Sequence, residues 1–200
     1  MTAMRHDEAR NWARGTRTAA FYEERLREEA EVAERDEHLM NVVKPEDMPW
    51  EICRQGKIKH IVNEKMPVRI KTVDAYIQEL PPGSRSGKHR HMAEEVLFIL
   101  EGRGYDLHWD VDFEVGDTYV WKVDPMPKRF EWEAGDIVYI PPNTVHQHFN
   151  LNPERPTRFI AAINRVYRFV GFGEIEQLEN APEYAGVDGV GAPDQRVPTP

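Results

Sequence analysis

Short apolar segments follow one another between Val68 and Ile163, and turn-forming residues separate them. Within the segments, Val, Ile, Thr and aromatic residues are frequent, and Gly, Pro, Asn and Asp stand between them. This composition is typical of β-strands and the turns that join them. The pattern predicts an all-β domain with strands in segments 68–80, 89–95, 96–100, 105–109, 113–115, 118–122, 130–132 and 158–163.

Three of these segments carry further information. The run Val96–Leu100 is apolar at every position, which predicts a strand buried on both faces. Segments 113–115 and 118–122 are separated by Gly116 and Asp117, so we expect an added hairpin that turns there. The aromatic residues Tyr119 and Trp121 on this hairpin suggest that it forms a lid.

The flanking regions differ from the β region in composition. Good helix formers dominate residues 5–38, and opposite charges four residues apart support exposed helices, so 1–41 is predicted to be a helical extension. Segment 42–67 contains Pro45, Pro49 and Gly56, which indicates an arm with a strand at 57–62. A barrel over 68–170 is then followed by a tail, 171–200, whose Pro and Gly content predicts disorder from 181.

Charge and composition narrow the functional classes. The formal net charge of -9 argues against partners such as nucleic acid or an anionic membrane surface. The amino terminus lacks the apolar region of a secretory signal, and no apolar run reaches the roughly 20 residues of a membrane helix. The lone Cys53 fits a reducing compartment. We therefore expect a soluble cytoplasmic protein.

Three histidines and a glutamate are spaced as metal ligands. His89, His91 and Glu95 are separated by even numbers of residues, which places side chains on one face of a β-strand, and His146 follows in a second segment. By the same parity, the neighbouring Glu94 would face away. Imidazole and carboxylate ligands together suit one divalent transition metal, which could be Fe, Mn, Ni, Cu or Zn.

The two segments that carry these ligands resemble the two signature motifs of the cupin superfamily. Gly83, His89, His91, Glu95 and Gly102 match every position of the first motif. Gly135, Pro141, His146 and Asn150 match the second, in which Asn143 replaces a glycine and is expected to adopt a positive φ. The resemblance implies a small antiparallel barrel, a double-stranded β-helix or jelly roll, with the metal inside.

Other residues are candidates for catalysis or substrate contact. His148 shares the parity of His146, so it is a candidate acid–base residue, and Glu95 is a candidate for both ligand and catalyst. An inward-facing arginine could bind a substrate carboxylate. The candidates for the substrate pocket, chosen from shared strand faces and nearby charge, are Tyr76, Gln78, Tyr105, Trp109 and Arg158.

Within the superfamily, His89-Arg-His91 and the stretch around Gly102 are similar to the gentisate 1,2-dioxygenase-like group, although that group lacks the glutamate found here at Glu95. The resemblance implies an Fe(II)-dependent dioxygenase acting on a small aromatic or enol-bearing acid, with dioxygen as co-substrate. The alternatives are a metal-dependent isomerase, lyase or decarboxylase and a non-catalytic ligand-binding cupin. We also expect a homodimer in which the 42–66 arm pairs with the neighbouring subunit.

Overall fold

The computed structural model describes residues 16–36, 38–173 and 175–184. The chain divides into two units at residues 39 and 40. The first unit contains helix α1 (Phe21–Asp36). Residues 16–20 were also predicted to be helical, but they do not form a helix. Residues 1–15 of the predicted extension lie outside the described part. No helix among the described residues is both long and apolar enough to cross a membrane.

The second unit is almost entirely β-structure, which confirms the predicted fold class. It also has a 3-10 turn at Pro45–Asp47 and a short helix α2 (Val166–Phe169). The described strands are β1 (Trp50–Cys53), β2 (Gly56–Val62), β3 (Val73–Leu80), β4 (Lys88–His91), β5 (Glu95–Glu101), β6 (Arg103–Trp109), β7 (Val111–Val115), β8 (Tyr119–Val123), β9 (Lys128–Glu133), β10 (Ile137–Ile140), β11 (Val145–Asn150), β12 (Thr157–Asn164) and β13 (Ile175–Glu179).

Two antiparallel sheets enclose the interior of this unit. The six-stranded sheet has the order β1-β2-β3-β12-β5-β10, and the five-stranded sheet has the order β13-β4-β11-β6-β9. Apolar side chains from both sheets pack into one core, which includes Leu97 and Phe159 from the first sheet and Trp132 from the second. Burial of such side chains is the main stabilising contribution to a β-sandwich.

Strand β5 corrects one prediction. Leu97 and Ile99 are buried as expected, but Val96, Phe98 and Leu100 on the opposite face are 40%, 44% and 41% exposed. Successive side chains of a strand alternate between faces, so the continuous apolar run places one half inside and the other half on the outer surface. The prediction that β5 is buried on both faces is wrong.

The predicted arm and tail both contribute strands to the sandwich. Strand β2 pairs with β1 and with β3, so the arm extends its own chain's six-stranded sheet, where we expected pairing with a neighbouring subunit. In the predicted tail, β13 pairs with β4, and Ala181 is buried. The region predicted to be a tail therefore contains a paired strand, and of the residues predicted to be disordered the structure describes 181–184. Residues 185–200 lie outside the described part.

The added hairpin is present as predicted. Strands β7 and β8 pair only with each other among the described strands. The ring of Trp121 lies 4.9 Å from the guanidinium of Arg90, which also donates hydrogen bonds to Glu176 and Asn143 on the outer surface of the five-stranded sheet. This position gives no support to a lid over the predicted metal ligands.

Candidate metal centre

The three histidines of the predicted site come from two neighbouring strands. His89 and His91 lie on β4 on either side of Arg90, so their side chains share one face of the strand. His146 on β11 is the direct antiparallel partner of His89, and their ring centroids are 4.1 Å apart. Pairing of these strands thus brings imidazoles from distant parts of the chain into contact.

Glu95 reaches the histidines from the opposite sheet. Strand β4 ends at His91, the chain bends through Met92 and Ala93, and β5 begins at Glu95 in the six-stranded sheet. Glu95 is fully buried, whereas Glu94 is exposed. The choice of Glu95 over Glu94 is correct, but strand parity is not the reason, because no single strand joins His91 to Glu95.

The four side chains are close enough to bind one ion. Each offers a ligand atom, and these atoms lie within 4.8 Å of one another. Oε2 of Glu95 is 3.1 Å from Nε2 of His91 and 3.3 Å from Nε2 of His146. Bonds of about 2.1 Å at right angles place neighbouring ligand atoms roughly 3.0 Å apart, so this spacing fits adjacent positions around one metal ion.

Backbone carbonyl groups orient two of the imidazoles. Nδ1 of His91 lies 2.7 Å from the oxygen of Ala93, and Nδ1 of His146 lies 2.9 Å from the oxygen of Thr144. A carbonyl oxygen can only accept a hydrogen bond, so Nδ1 of each ring carries the proton. In the neutral ring, Nε2 then has the lone pair that a metal needs. Among the described residues, Nε2 of His146 and Nδ1 of His89 are buried and have no hydrogen-bond partner, which suits atoms available to a metal.

Tyr76 holds the other oxygen of the glutamate. Its hydroxyl donates to Oε1 of Glu95 at 3.0 Å, while Oε2 faces the histidines. The two carboxylate oxygens therefore have different partners, which suits binding through one oxygen. Tyr76 was predicted to line the substrate pocket, and the structure brings it into direct contact with the proposed ligands.

Burial and mutual contact perturb the pKa values of the cluster. Burial, with the nearby His146 and His91, holds the pKa of His89 well below its usual value. Burial also lowers the pKa of His146. Burial opposes the charged form of His91 too, but the hydrogen bond to Glu95, the charge of Glu95 and the contact with the Ala93 carbonyl together outweigh it and raise the pKa of His91. Burial favours the neutral form of Glu95, but contacts with His146 and His91 outweigh it and hold its pKa well below normal. A charged carboxylate beside mostly neutral imidazoles is the ligand state that a divalent ion requires.

His148 shares the inner face with His146, as predicted, but its main partner is an aspartate. Its Nδ1 lies 2.9 Å from Oδ1 of Asp106, which also accepts a hydrogen bond from Trp132 at 2.8 Å. Asp106 opposes His148 across the strands, and the neighbouring inward residue His108 opposes His146. Sequence reasoning missed Asp106 and His108, and the proposed acid–base role of His148 stays a prediction.

The remaining pocket candidates lie away from the four ligands. The pairing of His146 with His108 places Tyr105 and Trp109 on the outer face of β6, which contradicts their assignment to the pocket. Tyr105 stacks on Phe149, and Lys88 lies 4.0 Å above the ring of Trp109. Both alternate sets of side chains on β6 contain residues that could be buried, so alternation alone does not decide which set faces inward.

Gln78 and Arg158 also have other partners. Gln78 is buried, and its amide donates to the carbonyl of Gln55. Arg158 is half-exposed and pairs with Glu79 at 2.7 Å and with Glu101. These surface contacts give no support to a role of Arg158 in substrate recognition, which stays a prediction.

Comparison with known proteins agrees with this architecture. Residues 76–163 match the family model of the Cupin domain. The chain is 27% identical over 96 residues to auxin-binding protein T85 of Nicotiana tabacum, covering 48% of each chain. It is 30% identical over 95 residues to auxin-binding protein 4 of Zea mays, covering 48% of this chain and 43% of that protein. The chain thus spans about half the length of the curated relatives it matches.

Among solved structures, a Cupin 2 conserved barrel domain protein from Salinispora arenicola is 20% identical, with a TM-score of 0.46 over 66% of this chain and 96% of that one.

Proposed function

We propose that this protein, whose residues 76–163 form a cupin domain, is a metal-dependent dioxygenase acting on a small aromatic or enol-bearing organic acid. The ion we favour is Fe(II), with Mn, Ni, Cu and Zn as the alternatives that the same ligands accept. The similarity of the His89–His91 segment to the gentisate 1,2-dioxygenase-like group supports the oxidative reaction. A cytoplasmic location is part of the same proposal.

The observation that carries this proposal is the ligand set itself. His89, His91, Glu95 and His146 are all buried, and each offers a ligand atom that lies within 4.8 Å of the others. Four protein ligands leave positions free on an octahedral ion, and one carboxylate leaves a net positive charge that attracts an anionic substrate. A bound ion of this kind would offer open positions to a substrate oxygen and to dioxygen, and as Fe(II) it would pass electrons from the substrate to dioxygen.

The protein's own residues orient and insulate this centre. The carbonyl groups of Ala93 and Thr144 hold His91 and His146 with Nε2 directed inward. The hydroxyl of Tyr76 keeps Oε1 of Glu95 occupied, so that Oε2 remains the binding atom. Burial of all four ligands excludes bulk water and preserves the strength of these electrostatic contacts.

Metal analysis followed by oxygen uptake tests the proposal. We expect close to one transition-metal ion per chain after anaerobic reconstitution with Fe(II), and substrate-dependent oxygen consumption across a panel of aromatic and enol acids. Turnover of an acid without oxygen consumption would favour an isomerase, lyase or decarboxylase. Absence of a bound metal would reject all of these reactions for this site.

The curated relatives support a second candidate. Those described above are named auxin-binding proteins, so binding of a small molecule is attributed to related chains. The second candidate for this chain is such binding without turnover. In that case, a reconstituted protein would bind an acid tightly, would retain it unchanged and would consume no oxygen.

A further inference from the structure

A cavity of about 300 Å³ shares a wall with the metal centre. It is formed by the turn after β4, by the end of β12 and by the segment that includes α2. His91, one of the proposed metal ligands, contributes to its lining together with Ala93, Ile163, Arg165, Tyr167 and Phe172. Its volume is at the lower end of the range for small-molecule pockets, about 300–1,000 Å³, which suits a compound with one ring.

Arg165 is the buried cation of this cavity. Only 6% of the residue is exposed, and its Nη2 donates to the carbonyl oxygens of Ile70 and Val73, both at 3.0 Å. These two bonds fix the plane of the guanidinium. Its Nε is buried without a hydrogen-bond partner among the described residues. Buried guanidinium groups are stable only when their charge and donors are satisfied, so an Nε without a close acceptor favours binding of a further anionic or carbonyl partner.

Asp74 balances this arginine incompletely. Its Oδ1 lies 3.5 Å from Nε of Arg165, which is too far for a good hydrogen bond, and this oxygen is buried with no hydrogen-bond partner in the described part of the chain. Burial raises the pKa of Asp74, although the charge of Arg165 and a backbone hydrogen bond with Glu64 oppose this shift. The ion pair with Arg165 is therefore long, and a ligand carboxylate that accepts from the guanidinium would compete with Asp74.

We propose that this cavity is the substrate site and that Arg165 selects acids by binding their carboxylate, while the apolar wall of Ala93, Ile163 and Phe172 accepts the hydrocarbon part of the same molecule. This inference rests on the proposed function, because it assumes that the compound bound beside His91 reaches the metal. The ligand class is a small monocarboxylic acid with an apolar, single-ring body.

Calorimetry with benzoate and its neutral analogue benzamide tests the selection. Zinc-reconstituted wild-type protein is expected to bind benzoate at least tenfold more tightly than benzamide. Arg165→Gln should lose about ten- to a hundredfold in benzoate affinity, the range for a hydrogen bond between charged groups, with benzamide affinity unchanged. Arg165→Lys should recover part of the loss. Asp74→Asn removes the competing carboxylate and should strengthen benzoate binding.

The Asp74→Asn variant keeps the test decisive if Arg165→Gln does not fold. Weaker or unchanged benzoate binding in Asp74→Asn, no benzoate binding by the wild type, or equal binding of benzoate and benzamide would each overturn the inference. The same experiments distinguish failure of the proposed reaction from failure of the acid-binding site. Benzoate binding through Arg165 without oxygen uptake on any acid removes the dioxygenase and leaves the acid site. Oxygen uptake on neutral compounds at the same rate in Arg165→Gln removes the acid site and leaves the dioxygenase.

Discussion

The hydrogen bond between Tyr76 and Glu95 should be measurable as metal affinity. Tyr76→Phe removes only the hydroxyl that donates to Oε1 of Glu95 at 3.0 Å and keeps the ring. Glu95 is fully buried and charged, so in the variant one carboxylate oxygen loses its hydrogen bond in a poorly solvated site. The carboxylate is then free to rotate away from the geometry in which Oε2 binds the ion.

The size of the effect follows from the charge on the acceptor. A hydrogen bond to a charged group contributes about 1.5–3 kcal/mol, and about 1.4 kcal/mol corresponds to a factor of ten in affinity. We therefore expect Tyr76→Phe to weaken metal binding by about ten- to a hundredfold, the range also found when residues that orient metal ligands are replaced. A water molecule that enters beside Glu95 would bring the loss toward the lower value.

Competition for Zn²⁺ against a chromophoric chelator measures this loss directly. Tyr105→Phe is the matched control, because it removes a hydroxyl from the outer face of the same sandwich and keeps the ring that stacks on Phe149. Its zinc affinity should equal that of the wild type. If both variants melt normally and Tyr76→Phe also binds zinc as the wild type does, the hydroxyl does not orient Glu95 and this reasoning is wrong.

Three further predictions follow from the same structure. His91→Ala should lose most bound metal, measured by elemental analysis, while staying folded, because the core does not include this side chain. The control variant His60→Ala on β2 should keep its metal. Full metal occupancy in His91→Ala would reject the site. Glu95→Gln should bind zinc more weakly than wild type but retain it, and should lose most oxygen uptake; metal loss as complete as in His91→Ala would make the carboxylate an essential anchor. Light scattering should give a dimer of the 23.3 kDa chain that Phe98→Glu dissociates, since Phe98 is exposed on the apolar outer face of β5; a monomeric wild type would contradict this.

The ligand residues could be identified from the sequence because local rules and a specific motif agree. Even spacing places His89 and His91 on one strand face, and this depends only on backbone geometry. Likewise, the turn residues Gly116 and Asp117 predicted the hairpin of β7 and β8, and Asn143 has the expected positive φ of 62°. Each of these features is decided by a few neighbouring residues, so no distant contact can reverse it.

The sequence could not predict which face of a strand is buried. On β6, the side chains on the face of Tyr105 and those on the face of Asp106 are equally compatible with burial. Only pairing with β11 shows that Asp106 faces inward. On β5, an apolar run could not show that Phe98 stays on the surface. Alternation separates two faces of a strand, but the neighbouring strands determine which of them is buried.

Contacts between distant strands were likewise decided by the tertiary structure alone. Glu95 begins a strand in a different sheet from His91, so their meeting depends on how the two sheets pack. Tyr76 reaches Glu95 from β3 of the same sheet, across the intervening strand β12. Asp74 and Arg165 are 91 positions apart and meet where β3 and β12 pair. The sequence therefore determined which residues could bind a metal. Strand pairing and packing between the sheets determined what holds those residues in place and which cavity lies beside them, because such contacts join positions that no local pattern relates.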